Sequence, residues 1–193
     1  SFGLQEPSAF VDAAARGVKM LPGSPAAVIV PEAVSRSVDP AVHRFAAAGA
    51  LQMLRMGVAL GTVLPEDSLH ALIAGLVRLS IPSFVMRGAD PRAVDAMAAQ
   101  LKEAIPARVL EHIQPFGFDC ASALERSDLV EQMAAVGHRA GFMAAGSMTG
   151  ALAGLRACAA SPDAGLATLP GAGRLMAFVF SKDHLELRRR LGL

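Results

Sequence analysis

The stretch Asp39-Pro40-Ala41-Val42-His43-Arg44-Phe45-Ala46-Ala47-Ala48-Gly49-Ala50-Leu51-Gln52-Met53-Leu54-Arg55-Met56 decides how the chain is read. Asp39 offers a side-chain oxygen to the free N–H groups of a helix start. Pro40 falls at the first helical position, where its missing N–H costs nothing. From there apolar or small residues recur at Val42, Phe45, Gly49, Met53 and Met56, while Arg44, Gln52 and Arg55 fall off the stripe. That spacing is one face of an α-helix.

Working outward toward the C-terminus, the helical period persists. A second helix begins near Pro65, turns Leu69, Leu72, Ile73, Leu76 and Leu79 inward, and ends before Pro82. Asp90 caps a third over 91–104, with Val94, Met97 and Leu101 on one face, and Pro106 and Pro115 bracket a shorter one. Ser127 is placed to cap a long helix through Ala144. Its inner positions Ala134, Gly137 and Gly141 are small, so a neighbouring helix can come close. A further helix is expected over 149–159, a loop over 161–170, and two last helices over 172–180 and 182–191, with Ser181 as the cap between them.

Toward the N-terminus the period changes. Ala9-Phe10-Val11-Asp12, Gly17-Val18-Lys19-Met20-Leu21 and Ala26-Ala27-Val28-Ile29-Val30 are short apolar runs, split by Arg16-Gly17 and Pro22-Gly23-Ser24-Pro25. Runs of this kind read as strands between turns. The expectation is a mostly α (α+β) chain: one compact multi-helix domain over 1–193, with a small two- or three-stranded antiparallel sheet in 1–30 packed on helical 38–193.

Composition agrees. The chain has 193 residues, 38 of them alanine, no Trp or Tyr, 53% hydrophobic residues and a net charge of +1. Disorder is excluded, because it needs low hydrophobicity and high net charge. No basic footprint for nucleic acid stands out. Arg188-Arg189-Arg190 reads as a charged last turn complementing the helix dipole, the alternative being an anionic partner. The mean hydropathy of +0.42 calls for a check on membrane spans. The best window, 140–155 between Arg139 and Arg156, has 16 residues and contains four Gly. It is too short and too weakly apolar to span, and reads as a buried Ala/Gly helix pair. Cys120 and Cys158 match no metal or disulfide framework and are expected as buried free thiols in a reducing, cytoplasmic setting, a single bridge between them being the alternative. Ser1-Phe2-Gly3 in place of an initiating Met is read as a cut point, so a C-terminal fragment of a longer protein is expected.

No catalytic constellation emerges. His43, His70, His112, His138 and His184 fall one per helix, and no two are three to five apart. A metal site would need convergence of His43, His138, Glu131 and His112. Glu131 and His138 share a helix face but lie two turns apart, about 10 Å along the axis. Cys120 with His112, eight residues back across a proline turn, is the one conceivable nucleophile–base pair, and its aromatic neighbours argue against a thiolate. There is no G-x-S-x-G elbow and no glycine-rich phosphate loop.

The order of elements nevertheless resembles a known family. Ala26-Ala-Val-Ile-Val30, the short piece 31–37, and Asp39-Pro-Ala-Val-His-Arg-Phe45 opening a helix are similar to the core of gluzincin zinc metallopeptidases. In that family the helix carries H-E-x-x-H, two zinc ligands and a base, and a later helix supplies a Glu ligand. Laid over this chain, the first motif falls on Gly49-Ala50-Leu51-Gln52-Met53. The later segment falls on His138-Arg139-Ala140-Gly141-Phe142, which puts Ala134 at the Glu position. The resemblance, spanning 26–142 with gaps, therefore implies a degenerate gluzincin-like domain whose ligands and base are all missing. Such domains occur at the C-terminal end of large bacterial multidomain proteins.

The function expected is a non-catalytic interaction or regulatory module, with no catalytic residue, resident metal or cofactor, whose partner is a protein or another domain of the parent chain. Its expected surfaces are the edge of the N-terminal strands and a groove lined by Val30, Phe45, Gly49 and Met53, able to take an extended peptide by strand addition. The rivals are a metal-dependent hydrolase and a carrier of apolar ligands.

Overall fold

The computed structural model describes residues 6–126, 129–159 and 165–192. It is mostly helical with one three-stranded sheet. The elements are β1 (Ser8–Asp12), β2 (Lys19–Leu21), β3 (Ala27–Pro31), α1 (Glu32–Ser35), α2 (Pro40–Arg55), α3 (Glu66–Arg78), α4 (Pro91–Ala104), α5 (Ala107–Ile113), α6 (Gly117–Arg126), α7 (Leu129–Ala145), α8 (Met148–Ala157), α9 (Ala172–Val179) and α10 (Lys182–Leu191), with short 3₁₀ turns at Ala59–Thr62, Gln114–Phe116 and Leu166–Thr168. The chain forms two compact units, Leu64–Gln132 and the remainder on either side of it.

The sheet order is β1-β3-β2, and it is mixed rather than purely antiparallel. β2 and β3 are joined by the tight Pro22–Pro25 turn, which forces an antiparallel hairpin, with Met20 opposite Val28. β1 is separated from β3 by the whole of β2. It fills the far edge of β3 in parallel register, Phe10 opposite Ile29.

Helix α2 starts as its sequence dictates: the Ala41 N–H donates to Asp39 Oδ1 at 2.8 Å. Val42, Phe45, Gly49 and Met53 are buried, as the stripe requires, but Met56 is 56% exposed. The helix ends at Arg55, and Gly57 turns the chain at φ +70°. The first unit's core is built on close helix approaches. Gly141 of α7 and Gly154 of α8 both face Phe45. A Cβ at Gly154 would lie 2.5 Å from Phe45 Cβ, and one at Gly141 would lie 2.8 Å from the Phe45 carbonyl oxygen. Gly150 leaves the same kind of room for Ala41, and Gly49 for the backbone of Gly137. Around this notch pack Phe142, Ala151, Leu155, Leu175 and Phe178. The Ala/Gly window 140–155 is a helix pair: α7 stops at Ala145, Gly146 adopts φ +75°, and Ser147 Oγ caps α8 by accepting the Gly150 N–H at 3.1 Å. Among the described residues no helix is long and apolar enough to cross a membrane.

In the second unit α3 packs on α4 where Gly75 meets Met97, Ala98 and Leu101. Ala71, Ala74, Val77, Phe84 and Val94 form its core. Asp90 caps α4 as expected, accepting the Arg92 N–H at 3.0 Å. Arg78 ties the following loop down by donating to the Phe84 carbonyl at 2.8 Å and pairing with Asp95. Helix α6 has no counterpart in the sequence reading, because Phe116, Phe118 and Cys120 look like a buried apolar run. In the structure all three are exposed. Ala121 and Leu124 of α6 pack against the core of this unit. The cap expected at Ser127 lies outside the described residues.

Replacing Gly154 or Gly141 by Ala is expected to destabilise the protein by about 3 kcal/mol, because the added methyl meets Phe45 atoms that cannot yield. Gly173 in α9 has nothing within 4 Å of its would-be Cβ and a φ outside the left-handed region. Gly173→Ala should be neutral to about 1 kcal/mol stabilising. Thermal melts of the three variants check the contrast.

Candidate functional site

A cavity of about 120 Å³ opens within the first unit. Gly49, Ala50 and Met53 of α2 line one wall, and Ala134, Gly137 and His138 of α7 another. Val18 and Met20 close it from the sheet side, and Thr62 and Cys158 complete it. Among the described residues the walls are apolar except for three groups. Thr62 is engaged: its Oγ1 accepts the Met20 N–H at 3.0 Å and donates to the Ala59 carbonyl at 2.7 Å. Cys158 is a free thiol whose burial pushes its pKa up to about 12, so it stays protonated and unreactive.

His138 is the third. It stacks on Phe45, ring centroids 6.3 Å apart, and has no hydrogen-bond partner among the described residues. Its Nδ1–Cε1 edge lies over Gly171, where a Cβ would come within 2.5 Å of both atoms. Gly171 also adopts φ +82°, so two constraints select glycine there. Burial lowers the His138 pKa to about 4, leaving a neutral imidazole at neutral pH.

The other histidines are held elsewhere. His43 Nε2–H donates to the Val34 carbonyl at 2.9 Å, and His112 Nδ1–H to the Arg108 carbonyl at 2.6 Å. His70 sits 4.0 Å from Glu66. His184 Nδ1–H donates to the Val179 carbonyl at 2.8 Å, and its ring is wedged against Phe142 and Phe178. Of the metal candidates, His43 and His138 belong to the first unit, and Glu131 and His112 to the second. Among the described residues no three His, Cys, Asp or Glu side chains gather as a metal ion would need. Cys120 is exposed rather than buried, and His112 is committed to its own helix.

The residues expected to form a peptide groove divide. Phe45, Gly49 and Met53 are buried and line the cavity, while Val30 packs in the core beside Met20 and Val28. At about 120 Å³ the cavity is well below the ~300 Å³ lower end of common ligand pockets, too small for an extended peptide. The sequence did not reveal that Met20, Thr62 and Cys158 would join these residues. Each comes from a different segment and carries no motif. The four positions laid over the zinc motif, Gly49, Ala50, Met53 and Ala134, do meet at this one cavity.

Family models, curated proteins and solved structures were all compared with the chain, and none matches.

The neutral histidine gives a pH dependence of definite sign. Its folded pKa lies below the 6.5 of an unperturbed His, so between pH 6.5 and 4 the unfolded chain binds a proton that the folded one refuses. Stability is therefore intact above pH 6.5 and lost on acidification through that window. Between pH 7 and pH 5 the unfolding free energy from urea melts should fall by about 2 kcal/mol more in the native protein than in His138→Leu. A thiol reagent should modify Cys120 rapidly and Cys158 much more slowly, and Cys120→Ser should remove the fast phase.

Proposed function

We propose that this chain is a non-catalytic interaction module, a degenerate relative of the gluzincin frame that works in the cytoplasm within a larger bacterial protein. The supporting observation is the convergence of Gly49, Ala50, Met53 and Ala134, from two distant segments, on one cavity. These residues do not fit a zinc ion. None offers an imidazole or carboxylate, and at Gly49 the approach of α7 is so close that a Cβ would lie 3.1 Å from the Gly137 carbonyl oxygen. Apolar and small residues at ligand positions suit a structural role, because buried His and Glu without a metal would cost free energy.

The interaction surface in this reading is the free edge of β1. Among the described residues β1 pairs with β3 alone, and Phe10 and Val11, on its opposite faces, are 56% and 57% exposed. The opposite edge of the sheet is covered at Met20 by the Thr62 bond. An open edge with apolar side chains suits strand addition by a segment of a partner or of another domain. The unbridged thiols Cys120 and Cys158 suit a reducing compartment.

Elemental analysis of the purified protein should find zinc far below one per chain, and peptide hydrolysis should show no chelator-sensitive turnover. Stoichiometric zinc held by side chains, or saturable turnover abolished by a point change, would sink the reading.

A further inference from the structure

We infer that the cavity beside His138 is a binding site for a neutral, benzene-sized molecule bearing one hydroxyl group, of the phenol class. Size comes first. At about 120 Å³ the space approaches the ~150 Å³ of engineered apolar cavities that take up benzene. Charge comes second. Among the described residues no Asp, Glu, Lys or Arg lines the cavity, so a carboxylate or an ammonium would lose its hydration with no counter-charge from them.

The hydroxyl follows from His138. Its imidazole has no hydrogen-bond partner among the described residues, and Nδ1 is pressed toward Gly171. His138 lines the cavity, and Nε2 is the ring nitrogen that is not pressed on Gly171. A neutral imidazole presents either a donor or an acceptor there, according to its tautomer. A hydroxyl both donates and accepts, so it satisfies either form, whereas an ether or ketone satisfies only one. The Phe45 ring stacked on His138, and the flexible Met20 and Met53 side chains around the rest of the space, suit a flat apolar body. This site does not depend on kinship with metallopeptidases, and its test uses no metal.

The full chain, carrying ¹³C-methyl methionine, is titrated with phenol, benzene and benzoate. Phenol should shift the Met20 and Met53 methyl signals saturably. Benzene should do so about five- to tenfold more weakly, the worth of one neutral hydrogen bond, and benzoate not at all. In His138→Leu the preference for phenol over benzene should disappear, and Ala134→Leu, which fills the space, should abolish both. If either variant fails to fold, the three-ligand series on the native chain still decides. No saturable shift at Met20 and Met53, equal binding of phenol and benzene, or tighter binding of benzoate would overturn the proposal.

Discussion

The first unit depends on one steric fit: the Phe45 side chain seated between two glycines, Gly141 on α7 and Gly154 on α8. Both approaches are closer than any Cβ would allow. With the beta carbons absent, the ring reaches backbone rather than side chain, and the two helices close on α2 from separate directions. Contact at this range recovers dispersion energy that a looser core would forfeit. It also fixes the helix register, since at these two positions a methyl would collide with Phe45. Ala41 against Gly150 and Gly49 against Gly137 extend the same device along α2. The high alanine content follows: a core made by backbone approach needs small side chains, and large ones would hold the helices apart.

That closeness has a cost in shape, because where Gly49 and Gly137 bring α2 and α7 together, small residues leave unfilled space beside them. The space is walled by Ala50, Ala134, Met53 and Met20, and into it the fold sets a histidine without a partner. A half-buried imidazole whose pKa is lowered to about 4 by burial is a neutral polar group kept in an apolar wall. Packing alone does not call for it: His138 touches Phe45, as a leucine could. His138 and His184 each carry a ring nitrogen with no partner among the described residues, and of the two it is His138 that lines the cavity.

Surfaces are where the two units carry most of their exposed apolar area. β1 is exposed along its whole length, and in the second unit Phe116 and Phe118 stand out from the turn before α6 and from α6 itself. A solitary exposed apolar residue is ordinary, but an open strand edge flanked by Phe10 and Val11 is a template for pairing.

The sequence by itself determined most of the helices, α6 excepted, and several of their ends. Asp39, Asp90 and Ser181 each accept from an N–H of the first turn, and that chemistry is local. It determined the buried face of α2 as far as Met53, because a 3.6-residue period is a property of one helix. Only the tertiary structure decided three things. The direction of β1 was open, since no tight turn ties it to β3. The exposure of Met56 and Cys120 was open too, because an apolar residue is buried only if another element arrives to cover it. The cavity was the third: its walls come from the sheet, α2, the Thr62 turn, α7 and the end of α8, and no spacing along the chain encodes that meeting. The pattern of a segment states which face seeks cover, and the folded chain alone supplies what covers it.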